Sequence, residues 1–133
     1  MRHLFLLLKK DTEGATAVEF ALIAPLLFIL IFGLVEFGRL YWLQGSMAYA
    51  VEGAGRYAML NISASNTDVI NIAKTNLYGI DPTSVNFTVS GSNSGGVNYL
   101  TIVAQSSFNF IPDNLLSYGT INLSKQVRVP LLP

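Results

Sequence analysis

The sequence predicts an α+β chain. One long N-terminal helix is membrane-spanning at first and amphipathic beyond, and it leads into a small outer domain with one short helix and roughly three antiparallel strands. Three observations carry this reading. Sixteen consecutive uncharged residues, FALIAPLLFILIFGLV, run from Phe20 to Val35. Past them, Phe37, Leu40, Tyr41, Gln44, Met47, Ala48, Val51, Gly55 and Ala58 recur at steps of three and four, the helical period. After Pro82 the pattern changes to β-branched and aromatic residues in alternation, broken by turn-forming glycines.

Composition sets the outer bounds. With 133 residues the chain has room for one small domain beside a membrane segment. Hydrophobic residues make up 51% and charged residues 12%, with zero formal net charge. No Lys/Arg-rich run extends beyond Lys9-Lys10, which argues against a nucleic-acid partner. Cysteine is absent, so disulfides, thiol catalysis and thiolate metal sites are excluded, and the single histidine is His3. Catalysis has no constellation to rest on. No cofactor or metal is expected, although Asp68, Asp81 and Asp113 could in principle converge on a cation.

Residues 1–14 hold Arg2, Lys9 and Lys10 and then Asp11 and Glu13, with an apolar patch at 4–8 that is too short to cross a bilayer. Residues 15–35 form the predicted span, and at about 1.5 Å per residue such a helix matches the roughly 30 Å hydrocarbon core. Three basic residues precede it, against Arg39 alone in the stretch that follows, so the positive-inside rule puts the N-terminus in the cytoplasm and the rest outside. Residues 36–60 continue the helix as an amphipathic extension, giving one helix over about 16–60 with Pro25 inside it. A proline there removes one backbone hydrogen bond and is expected to kink or loosen the helix locally.

Residues 61–133 form the predicted outer domain. NISASN at 61–66 reads as a linker, and Asn66 or Thr67 is placed to cap a short helix over 68–77 that Gly79 ends. Strands are expected at 84–90, 98–108 and 120–129, the first two separated by the turn-forming GSNSGG, and a loop is expected around 113–119. A core of about seventy residues without disulfides is marginal alone, so this domain is expected to pack on the helix or on neighbouring subunits.

The junction at 14–20, GATAVEF, is the most informative stretch. A carboxylate in an apolar segment costs on the order of 2.5–3.5 kcal/mol on insertion scales, so Glu19 is a functional residue by default. Gly14 offers a peptidase a residue without a side chain, and Ala15 would carry the new amine. Glu19 lies about one helical turn from that amine, where the two charges could pair in low dielectric. Basic leader, Gly, acid at the fifth position after it and apolar run together resemble a type IV prepilin processing site.

A closer resemblance extends over about residues 9–60. Gly14, Val18, Glu19, Phe20, Ala21, Pro25, Glu36, Phe37, Gly38 and Arg39, followed by Ala50, Ala54, Arg56, Tyr57 and Ala58, are similar to the pattern of TadE-like proteins. These are the minor pilins or pseudopilins of the tight-adherence (Tad) pilus system. The greasy patch at 4–8 departs from a leader that is usually more polar. The resemblance implies a type IV pilin-like fold, cleavage of 1–14 by prepilin peptidase, residence in the inner membrane, and no catalysis by the subunit. It also implies partnership with other Tad pilins or pseudopilins and an assembly platform, with the lipid bilayer as first host.

Two readings stay open for the small-residue ridge Ser46, Ala50, Ala54 and Ala58. It would pack against a partner pilin helix, or beneath the chain's own β domain. Glu36 would snorkel or pair with Arg39. The alternative at the level of the whole chain is an unprocessed single-span envelope scaffold that binds another membrane or secreted protein.

Overall fold

The computed structural model describes residues 12–111 and 119–131. Expectations placed on the leader before residue 12, on Asp113, and on the loop as far as 118 lie outside the described residues. Helix α1 runs Thr12–Leu60 without a break and carries Pro25 inside it. It therefore begins four residues before the predicted start. Short helix α2 follows at Asn66–Thr75, then a 3-10 turn at Pro82–Ser84 and strands β1 (Asn86–Ser94), β2 (Val97–Asn109) and β3 (Thr120–Leu131). The strands form an antiparallel meander in the order β1-β2-β3, with β2 central.

Two compact units divide the chain, Met1–Phe37 and Gly38–Pro133. The second contains the C-terminal half of α1, so the outer sheet folds on that half of the helix. Its core is continuous. Leu43, Met47, Ala50, Val51, Ala54 and Ala58 from α1 meet Val69, Ala73 and Leu77, and with them Val85, Phe87, Leu100, Ile102, Ala104, Phe108, Leu123 and Val129. Period decides which residues enter it. In β2, Leu100, Ile102, Ala104 and Phe108 share one pleat face and are buried, as alternation requires. On α1 the buried stripe is narrower than its sequence pattern: Phe37 and Tyr41, expected on the apolar face, stay outside at 66% and 73% exposure.

Caps and turns account for the shifted boundaries. The cap of α2 is Ser65, one residue before Asn66 and two before Thr67, the expected caps. Its hydroxyl accepts from the Asp68 N–H (3.2 Å), while its own N–H donates to the Asp68 carboxylate (3.0 Å). This reciprocal pair satisfies two end groups at once. The helix ends at Thr75 with Asn76 as its C-cap, short of Gly79, the glycine expected to stop it. Gly79 adopts φ +66° beyond that end. The β1–β2 turn is only Gly95-Gly96, at φ +60° and +82°, between the paired Ser94 and Val97. Two successive positive φ values are what a type I′ hairpin needs, so the polar GSNS preceding them joins strand β1.

Candidate functional site

The N-terminal part of α1 is built to face an apolar medium. Its most apolar window has a mean hydropathy of 2.6 and is only 6% buried among the described residues. Phe20, Leu22, Ile23, Leu26, Phe28 and Leu34 are each more than half exposed. In water that surface would be untenable; in a bilayer it is the ordinary outer face of a spanning helix. This is the one helix among the described residues long and apolar enough to cross a membrane.

Gly14, Ala15 and Glu19 lie on this helix and are exposed. A Cβ added at Gly14 would meet nothing within 4 Å. The Gly14–Ala15 bond lies within α1 as described from Thr12. A peptidase that takes an extended substrate would need the helix to open locally at that bond. Ala15 and Glu19 are four apart on continuous helix, which puts their Cβ atoms about 5–6 Å apart. Phe20 is exposed beside Glu19, and Pro25 leaves the helix uninterrupted.

The other positions singled out on α1 differ sharply from these. Glu36 is buried, at 9% exposure, and Arg39 is exposed with its guanidinium 5.3 Å from the centre of the Phe108 ring. Ala50, Ala54 and Ala58 are 0%, 0% and 2% exposed within the core of the Gly38–Pro133 unit. The chain's own sheet and short helix therefore occupy the ridge. Gly55 belongs to the same packing: a Cβ there would meet Val129 Cγ1 at 3.0 Å and Val127 Cγ1 at 3.2 Å. Ser46 is bound differently. Its hydroxyl accepts from the Tyr78 N–H at 3.0 Å and donates to the Tyr78 carbonyl at 3.4 Å. Trp42 Nε1 donates to that same carbonyl at 3.1 Å. The loop after α2 is thus latched to α1 by two side chains one helical turn apart. Sequence reading placed Ser46 among small packing residues; the lone tryptophan just past the span was the available signal for the latch.

Beside this latch lies an open groove of about 700 Å³, lined among others by Gly38, Arg39, Trp42, Ile80, Phe108 and Ile111. Asp81 also lines it, and its carboxylate accepts from the Thr83 N–H and hydroxyl, both at 2.8 Å. Those bonds, the backbone one first, hold the Asp81 carboxyl below its ordinary pKa. Asp68 is likewise lowered, by the Ser65 hydroxyl and then the Ser65 N–H. Of the three outer acids weighed as a cation site, Asp68 and Asp81 are each engaged locally, and Asp113 lies outside the described residues. Among the described residues no group of three His, Cys, Asp or Glu could hold a metal ion.

The arrangement defines a class: a single helix, long and apolar enough to span a membrane, carrying a small α+β unit folded on its distal half. Within that class, residues 14–56 match the family model of TadE-like protein, so the chain carries a TadE-like segment over nearly the whole of α1. No curated protein and no solved structure matches the chain.

Proposed function

We propose that this chain is a minor pilin or pseudopilin of a Tad pilus system, made as a precursor and cut between Gly14 and Ala15. The observation that carries the reading is an uncovered apolar helix with a carboxylate four residues past a glycine-alanine bond, inside a segment that matches the TadE-like family. Cutting leaves an amine at Ala15 one turn from Glu19, and the carboxylate sets register by meeting that amine on its own chain or on a neighbour. The N-terminus is cytoplasmic and the α+β unit faces outward from the inner membrane. Prepilin peptidase is the processing partner. Other Tad pilins or pseudopilins and the assembly platform receive the helix as it leaves lipid. The chain does no catalysis and takes no cofactor.

The N-terminal residue of the membrane-extracted protein tests this directly. A mature chain starting at Ala15 is expected; a full-length mass would indicate an unprocessed single-span scaffold instead. Gly14→Arg is expected to abolish cleavage in cells that contain the peptidase. Glu19→Ala is expected to be inserted and processed yet to leave cells without normal pili, and full piliation would remove Glu19 from the assembly role.

A further inference from the structure

We propose that the open edge of β1 is a self-pairing surface: Ser90–Ser94 of two copies run antiparallel, Ser92 facing Ser92, and join two three-stranded sheets into one. The sheet has two edges, and they are built differently. β3 is guarded against strand addition. Pro130 has no N–H to offer, Lys125 brings a charge onto the pleat face of buried Leu123 and Val129, and Arg128 stands exposed on the opposite face. β1, with the sequence NFTVSGSNS, carries no charge and no proline, and its register with β2 runs unbroken from Asn86 to Ser94. Short helix α2 packs beside β1. Phe87 is buried and Val89 half-buried there, but every residue from Ser90 to Ser94 is exposed.

The hairpin fixes which backbone groups this edge presents. Ser94 and Val97 flank a two-residue turn and so form a hydrogen-bonded pair, and such pairs alternate along an antiparallel ladder. The backbone groups of Ser94, Ser92 and Ser90 are thus taken up by β2, and those of Asn93 and Gly91 point to the open side. The same alternation turns Pro130, opposite Tyr99, away from β2, where a ladder tolerates proline. A two-fold axis at Ser92 sets Gly91 of each copy against Asn93 of the other, giving about four backbone hydrogen bonds.

The chemistry of the edge favours its own image as occupant. Two neutral edges meet without like charges, whereas β3 against its image would bring Lys125 and Arg128 toward their counterparts. Across the seam Ser faces Ser and Gly faces Asn, so no bulky side chain obstructs it, and the Asn93 amide is already held by Asn98 at 2.8 Å. Gly and Asn are poor strand formers, yet this stretch keeps strand geometry while burying no side chain. A second ladder supplies the pairing that its composition lacks. So short a seam is weak in dilute solution and requires copies held in one bilayer at high effective concentration, which the apolar half of α1 permits. It does not depend on cleavage at Gly14.

The chain has no cysteine, so a single introduced one reports this contact alone. In a non-hydrogen-bonded pair the Cα atoms stand about 4.5 Å apart, within disulfide reach. The full-length protein carrying Ser92→Cys is reconstituted into phospholipid vesicles and mildly oxidised, and a disulfide-linked species of twice the chain mass is the expected main product. Ser124→Cys, exposed on β3, controls for collision and is expected to stay mostly monomeric. Equal crosslinking at the two positions, or none at Ser92, overturns the proposal. Gly91→Pro then transfers to β1 the guard that β3 carries: the N–H it removes points away from β2, so the hairpin keeps its ladder. Adding it to Ser92→Cys is expected to abolish the dimer at an unchanged thermal transition, and a dimer that persists overturns edge pairing. If Gly91→Pro lowers the transition, Gly91→Lys makes the same test with a charge, since a Cβ there meets the Tyr99 carbonyl oxygen only at 4.0 Å. A photo-crosslinking residue at Ser92 in intact cells is expected to give the same doubled mass; an adduct of any other mass assigns the edge to a different partner and overturns the second copy.

Discussion

Glycines on one face of α1 and on another have opposite roles, and substitution separates them. A Cβ added at Gly45 would meet nothing within 4 Å, whereas Gly55 abuts Val127 and Val129 of β3. Gly45→Ala is expected to stabilise by about 0.5–1 kcal/mol, the helix-propensity difference. Gly55→Val is expected to destabilise by about 1–3 kcal/mol through overpacking. Urea or guanidinium titration of the full chain in detergent checks both, and equal effects would contradict the close helix–strand approach. Ser46 supplies a second case. Its hydroxyl serves both backbone polar groups of Tyr78. Ser46→Ala leaves the N–H without that acceptor and is expected to cost about 1–3 kcal/mol, read in the same titration.

At the scale of elements, α2 depends on its cap more than on its length, since ten residues make a marginal helix alone. Ser65→Ala is expected to cost about 1 kcal/mol and to speed amide exchange across Asn66–Thr75. The cap also sets an acid limit. Asp68 and Asp81 both have folded-state pKa values below their ordinary ones. Depressed carboxylates contribute stability that is present above the unfolded-state pKa, about 4, and is lost as pH falls through the folded value. Unfolding midpoints should therefore hold from neutral pH to about 5 and decline below about 4. Asp68→Asn and Asp81→Asn should each flatten that decline.

Considered as a whole molecule, the distal half of α1 belongs to the folding unit, and the proximal half is apolar enough to span a membrane. Six of the buried core residues, from Leu43 to Ala58, come from the helix. A fragment of residues 38–133 is therefore expected to fold cooperatively, while one of residues 61–133 is expected to stay unfolded. Circular dichroism and proton–nitrogen correlation spectra distinguish them, and a folded 61–133 fragment would show that the sheet and short helix suffice. The same division gives Glu19 and the alanine ridge separate fates. Glu19 stands exposed on the apolar half, while Ala50, Ala54 and Ala58 are enclosed.

The apolar run, the helical period through residue 60 and the three strands were legible in the sequence because each depends on local chemistry. Uncharged length makes a helix able to span, and alternation sets a strand. Boundaries were less legible because caps and turns compete over single residues. Ser65 prevailed over Asn66 through its reciprocal bonds with Asp68, and two positive-φ glycines sufficed where six residues looked like a turn. What covers the alanine ridge, and which residues meet across the groove, was decided by tertiary structure alone. Small residues at a four-residue step fit any close partner equally well, and only the folding of the sheet onto α1 made that partner internal. Trp42 and Tyr78 stand thirty-six residues apart and meet for the same reason: a distant loop needed its backbone polar groups satisfied, and the helix presented donors for the carbonyl and an acceptor for the N–H.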